Sequence, residues 1–402
     1  MKKKYALVLG GGGARGAYQI GAWRAFRELG IKFDCIVGVS VGALNGILML
    51  QNLFNEAVEI WNNISLEKIV YIPDGFVYEM KKGPLQLFSS NFFKAILNVW
   101  DDIKKHKGLD SSPLYNLILK YTNERKARSL KVDFGLVTFR VDDLAPQVLF
   151  LEDIPLGMLP DYLLASASLP GFKPARIANK SFIDGGVYNN VPYNIVKKRG
   201  HRKIIVVDIS GPGLKESPQI ENTEVIYIKN SIDFGSLLDF RPAVIKDFML
   251  LGYLDTMKTF QKIDGIYYFY RINRSLLDKM EKYFYSFENK RKMLEILKST
   301  GDKSFTEAIR SILPEEVKYY RYISIALLEQ AARFLGVPIL KLYAFKDLVI
   351  QTYNGLNTKK KEDPELFGFR PKNIFEEIIK SEKLQKSLIL NLCLEFFKGL
   401  KF

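Results

Sequence analysis

Two stretches near the N-terminus, "YALVLGGGGARG" at 5–16 and "CIVGVSVGAL" at 35–44, each run from a short apolar segment through a glycine-rich turn into a helical pattern. Strand, tight turn and helix in succession imply a parallel sheet covered by helices, because parallel strands need a crossover and the crossover is usually a helix. Both turns then open on the same edge of the sheet, the crevice at the C-terminal ends of the strands where ligands bind in open α/β folds. Further along, "VDFGLVTFRV" and "PQVLFLE" read as a pair of strands and "LGMLPDYLLASAS" as a helix. "KSFID" reads as a strand running into "GGVYNNVP", Pro192 to Lys198 as a helix, and "RKIIVVDIS" and "TEVIYIKN" as two more strands. The α/β region is expected to cover residues 1–272 and to close near "GIYYFYRIN", with 65–130 as a cap or lid. Residues 273–402 show helical periodicity with almost no β-branched runs and read as an appended helical region.

The formal charge of +15, from 59 Lys+Arg against 44 Asp+Glu, is spread along the chain and favours anionic partners without naming one. No nucleic-acid recognition motif accompanies it, so nucleic acid is not an expected partner. Cys35 and Cys393 lie far apart with no histidine cluster beside them, so neither a disulfide framework nor a zinc site is expected. The opening lysines imitate a signal peptide, but Gly10 to Gly13 interrupt the apolar stretch too early. No run reaches the roughly eighteen apolar residues of a spanning helix. A cytoplasmic or membrane-peripheral protein is expected.

Gly11, Gly13 and Gly16 fit G-x-G-x-x-G after a strand and at the start of a helix. A dinucleotide site also wants an acid at the end of the second strand, and the acid at about the right distance, Asp34, precedes that strand; its end carries Ser40 instead. Amide groups exposed by glycines at a helix start stabilise any anion, including the oxyanion of a tetrahedral acyl intermediate. Ser40 sits in G-x-S-x-G, with Gly38 and Gly42 at the positions a tight strand-to-helix elbow needs small.

A nucleophilic serine needs a base, and the chain has two histidines. The order Ser40, Asp184, His201 follows that of α/β-hydrolase triads, but His201 lies just before a strand and so belongs at the opposite edge of the sheet. His106, in "DDIKKHKGLD", reads as a solvated surface residue. A carboxylate held where burial raises its proton affinity can serve instead. The candidate is Asp184, at the end of an apolar run and followed by Gly185 and Gly186.

Taken together and in this order, "GGGGARG", "GVSVG" and "DGG" resemble the patatin-like phospholipases, lipid acyl hydrolases that work with a Ser-Asp dyad and no histidine. The resemblance takes in "ASASLPGFKP" and "NNVP" and covers about residues 5–210. It implies a three-layer α/β/α sandwich with a mainly parallel sheet, Ser40 as nucleophile, Asp184 as general base, and Gly11, Gly12 and Gly13 as oxyanion hole. It also implies no metal or other cofactor, and phospholipid or other acyl-ester substrates. Arg15 falls at the basic position of the family's glycine loop. The C-terminal "KSEKLQKSLILNLCLEFFKGLKF" alternates lysines with large apolar residues, a pattern that would suit an anionic membrane surface but that any packed amphipathic helix shows, so core packing is the favoured reading and membrane contact the second. The competing expectation for the whole chain is a catalytically silent protein that binds a membrane or another anionic partner. Oligomeric state is left open.

Overall fold

A computed structural model describes residues 4–71, 108–211, 221–233, 235–297, 304–368 and 382–400, divided between two compact units, Met1–Thr259 and Phe260–Phe402. Residues 72–107 of the segment read as a cap or lid, His106 among them, lie outside the described residues.

The first unit holds one eight-stranded sheet. Its strands are β1 (Lys4–Leu9), β2 (Lys32–Val39), β3 (Asp133–Arg140), β4 (Ala145–Phe150), β5 (Ala175–Ile177), β6 (Lys180–Asp184), β7 (Lys203–Asp208) and β8 (Glu224–Lys229). β3, β2, β1, β7 and β8 run parallel in that spatial order, whereas β4 and β6 pair antiparallel with β3, and β5 antiparallel with β6. The described helices of this unit are α1 (Ala17–Glu28), α2 (Val41–Leu50), α3 (Phe54–Asn63), α4 (Ser112–Tyr121), α5 (Glu124–Ser129), α6 (Leu159–Ser166), α7 (Tyr193–Lys198) and α8 (Pro242–Thr259).

Alternation along the buried strands gives the sheet two apolar faces. Gly46 of α2 lies against Ile36, Phe134 and Leu9, while Val191, Tyr193 and Val196 in and before α7 pack with Ala6, Val8, Cys35 and Val37 on the other face. This is the expected sandwich, and its parallel majority agrees with the sequence reading. The helical pattern that follows Ser40 forms two helices, because Asn52 turns the chain with φ 57 between α2 and α3. β2 starts at Lys32, so Asp34 lies within it rather than before it, as the extra residue where the β1–β2 register shifts.

One detail of the topology positions the site. β4 occupies one edge of β3 from Gly135 to Arg140. The other edge is shared: β2 pairs along it as far as Val39↔Val137, and β6, running the opposite way, takes over at Thr138↔Asp184. Two strands of opposite sense therefore end head to head on consecutive residues of β3.

The second unit is helical around a small parallel pair, β9 (Phe269–Arg271) with β10 (Leu342–Ala344). "GIYYFYRIN" thus belongs to this unit, and the division falls at Thr259/Phe260 rather than at 272, because the partner of β9 comes later in the chain. Its described helices are α9 (Arg274–Phe284), α10 (Phe287–Leu297), α11 (Phe305–Arg310), α12 (Glu315–Lys318), α13 (Ile323–Phe334), α14 (Phe345–Glu362), α15 (Pro364–Gly368) and α16 (Glu382–Leu400). α16 carries the lysine-and-apolar C-terminal pattern, and it buries Leu388, Ile389, Leu392, Phe396 and Phe397 in the core of this unit. Packing is therefore what that apolar face does here, and the helix is not a free surface anchor. No described helix is long and apolar enough to cross a membrane.

Glu329 on α13 is fully buried, and its carboxylate accepts the N–H groups of Ile266, Tyr267 and Tyr268 and the hydroxyl of Tyr270. Burial pushes its carboxyl up while those donors hold it down. Replacing Glu329 by Ala would remove the acceptor that these four donors share, and a loss of about 3 kcal/mol is expected for the second unit in chemical denaturation.

Candidate active site

The first unit brings Ser40 and Asp184 together by the shared edge of β3. Ser40 is the residue between β2 and α2, with φ 56 and ψ −130, a conformation that a non-glycine residue holds only under structural constraint. The constraint is a tight crossing. A methyl group on Gly42 would collide with the carbonyl oxygen of Leu9, and one on Gly38 would collide with the backbone of Gly42. Both positions of G-x-S-x-G are therefore needed for close backbone approach, as the sequence pattern implies. The serine N–H is not left free: it donates to Ser166 Oγ at 3.0 Å.

Asp184 ends β6 and is 2% exposed. Its Oδ1 accepts the Gly186 N–H at 2.8 Å, and its own N–H donates to the Ser168 carbonyl at 2.8 Å. Oδ2 is buried without a full hydrogen bond among the described residues, yet the Ser40 hydroxyl lies close enough to favour the ionised carboxylate. Burial is the larger influence and pushes the carboxyl up to about 6, against the opposing pull of the Ser40 hydroxyl and the Gly186 amide. A carboxyl in that position can take a proton from a neighbouring hydroxyl near neutral pH.

The glycine loop lies on the other side of Ser40; a side chain added at Gly11 would meet Asn190 and the Ser40 Cβ. The loop is held from many directions. Gly10 N–H donates to Val207, and Gly11 N–H to the Asn190 carbonyl at 3.3 Å, while Asn190 Nδ2 returns a bond to the Gly11 carbonyl. Gln19 Nε2 donates to the Gly10 carbonyl at 2.7 Å, Asn45 donates to Gln19 and to Gly16, and Trp61 Nε1 donates to Asn45. The Arg15 guanidinium donates to the carbonyls of Ser210 and Gly235, which gives that position a structural function the sequence did not supply. Of the three amides expected to face an anion, that of Gly11 is engaged by Asn190, and those of Gly12 and Gly13 have no partner among the described residues. Gly13 has φ 55, the left-handed conformation that turns the loop into the helix.

An apolar cavity adjoins Ser40. Ile47, Leu48, Trp61, Leu114, Ile118 and Phe172 contribute to its wall, and Ser40 and Asn45 are among its few polar neighbours.

His201 lies before β7 at the other edge of the sheet, with Nδ1 3.4 Å from Asp34 Oδ1. It is not brought to Ser40, as its place in the sequence implies. At that edge Cys35, Asp133 and His201 place ligand-type atoms within 4.8 Å of one another, a grouping invisible in the sequence because its members come from three separate strands or strand entries. Sequence reasoning also missed Ser166, Asn190, Gln19 and Asn45. "ASASLP" and "NNVP" marked two of them as part of a pattern, but polar residues inside a helix or a loop give no sign of their distant partners.

Residues 7–197 match the family model for patatin-like phospholipases. That span is similar to the patatin-like phospholipases. The chain is 28% identical over 211 residues to a patatin-like phospholipase domain-containing protein of Caenorhabditis elegans, with 50% of this chain and 13% of that protein covered. It is 29% identical over 212 residues to patatin-like phospholipase domain-containing protein 7 of Rattus norvegicus, covering 51% and 13%. It is 29% identical over 215 residues to the neuropathy target esterase sws of Drosophila melanogaster, covering 50% and 13%. The chain thus spans about an eighth of the length of these relatives.

A test of the elbow follows from its crowding. Gly42→Ala forces apart α2 and the end of β1, and a drop of ~1–3 kcal/mol in unfolding free energy is expected, as for other overpacked sites.

Proposed function

We propose that the first unit is a lipid acyl hydrolase of phospholipase A or lysophospholipase type, with Ser40 as nucleophile and Asp184 as general base. The observation that carries the reading is the buried Asp184 carboxyl, poised at about 6, beside the hydroxyl of a serine held in a strained elbow. The match of residues 7–197 to the patatin-like phospholipase family model and the esterase name of the fly relative agree with it.

The reaction has two stages. Ser40 Oγ attacks the ester carbonyl carbon as its proton passes to Asp184 Oδ2, and the carbonyl oxygen becomes an oxyanion that accepts the free amides of Gly12 and Gly13, with Gly11 setting their position. The tetrahedral intermediate collapses with cleavage of the bond to the alcohol oxygen, which leaves with the proton held by Asp184. Water then gives a proton to Asp184 and adds to the acyl-enzyme, and collapse releases the carboxylic acid and regenerates Ser40. None of these steps calls for a metal. The apolar cavity beside Ser40 suits the hydrocarbon chain of the acid, since burying each methylene contributes about 0.8 kcal/mol. The excess of cationic residues suits substrates presented at an anionic lipid surface.

The test is release of fatty acid from phospholipid and lysophospholipid vesicles with EDTA present. Ser40→Ala and Asp184→Asn are each expected to reduce release about 10³-fold or more with the fold intact, whereas His201→Ala leaves it nearly unchanged. A large loss from His201→Ala would overturn the dyad in favour of a triad.

The pH profile gives a second check. A general base acts only when deprotonated, so kcat/KM is expected to fall about tenfold per unit as pH drops below about 6, the value to which burial pushes Asp184.

A further inference from the structure

Where β2 leaves the edge of β3, the backbone ladder does not simply stop. Ser166, the last residue of α6, places its fully buried hydroxyl there, accepting the Ser40 N–H at 3.0 Å and donating to the Val137 carbonyl at 2.7 Å. A continued parallel ladder would join these two backbone groups directly. The hydroxyl instead holds them one oxygen atom apart, at the residue where φ changes sign. Two residues on, the Ser168 carbonyl accepts the Asp184 N–H at 2.8 Å.

We propose that Ser166 is a positioning residue, a spacer in the β2–β3 ladder that keeps Ser40 displaced from β3 and so sets the approach of its hydroxyl to Asp184. The inference rests on the reading of Ser40 and Asp184 as the reacting pair. Residues 166–168 grip both members: the Ser166 side chain fixes the backbone of one and the Ser168 backbone fixes that of the other. The far side of the grip is anchored, since Ser168 Oγ donates to the Leu164 carbonyl within α6. Without the hydroxyl, the Ser40 N–H and the Val137 carbonyl are either left buried and unpaired or close on each other. In both cases Ser40 turns away from its strained conformation and its Oγ leaves the carboxylate.

The test compares wild type with Ser166→Ala and Ser166→Cys in the full chain, by amide hydrogen exchange at Ser40 and by steady-state hydrolysis of a soluble long-chain p-nitrophenyl ester across pH. In Ser166→Ala, exchange at the Ser40 amide is expected to rise at least tenfold, and kcat to fall 10- to 100-fold with KM little changed. The acid limb of the profile is expected to move to higher pH, because the Ser40 hydroxyl that favours the ionised carboxylate is withdrawn. Ser166→Cys, with a weaker donor and acceptor of similar shape, should fall between, and carries the same comparison if the alanine variant does not fold. A purely structural role would lower the thermal midpoint and leave the acid limb in place, and that result overturns the proposal. Unchanged exchange at Ser40, or faster exchange with kcat within twofold of wild type, also overturns it. A wild type inactive on every ester would defeat the hydrolase reading alone, since the exchange comparison still decides whether the hydroxyl holds Ser40.

Discussion

The arrangement of the first unit depends on the edge of β3, where Val137 pairs with β2 and the next residue, Thr138, pairs with β6. Parallel ladders alone would carry β2 straight on, and β6 would have no place beside it. The parallel strand stops because the elbow at Ser40 lifts the chain into α2, and the antiparallel strand fills the vacated edge as far as Asp184. The fold thus brings Ser40 and Asp184 together through two strand ends meeting on one backbone, and Thr138 fastens the join with a bond from its hydroxyl to the Ile183 carbonyl at 2.8 Å.

The polar groups around this join form a framework inside an apolar sandwich. Gln19, Asn45, Ser166 and Asn190 are all nearly or fully buried, and each bonds to a backbone group of the glycine loop, the elbow or their supports. Buried polar side chains are tolerated when they are satisfied, and when satisfied they specify one arrangement. The amides of Gly12 and Gly13 are the exception within the loop. Together with the unfilled Asp184 Oδ2, they are groups of this site that have no full partner among the described residues.

Much of this was legible in the sequence, for local reasons. Strand, glycine turn and helix are short-range patterns, so the order of elements, the elbow at Gly38, Ser40 and Gly42, and the strand end at Asp184 could all be read from neighbours. The place of His201 away from Ser40 also followed from its position before a strand. What depended on partners far along the chain could not be read. "GIYYFYRIN" has the look of a strand, but nothing in it says that it pairs with 342–344 instead of the large sheet. The lysine-and-apolar pattern of α16 is the same for a buried helix and a surface one, and only tertiary packing decides. Ser166 sits in "LLASAS", where a hydroxyl in an apolar helix looks unremarked, and its partner is 126 residues away. The engagement of the Gly11 amide was hidden for the same reason, since Asn190 comes from a distant turn.

The divided edge of β3 also sorts the chain by its tolerance of changes in length. Side chains alternate along a strand, so a slip of one residue in β6 would turn Asp184 to the other face of the sheet and bring Ile183 or Gly185 to Thr138. A residue inserted in β2, β3 or β6 near the join therefore changes which groups meet. The turn at 141–144 is tied to β6, since Val141 N–H donates to the Ser181 carbonyl and Ser181 N–H to the Asp142 carboxylate, whereas the turn at 178–179 between β5 and β6 is exposed and lies away from the join. Length there can vary while the pairing beyond it is re-established by the ladder itself. The site is specified by register at two consecutive residues, and the β5–β6 turn is left free to differ.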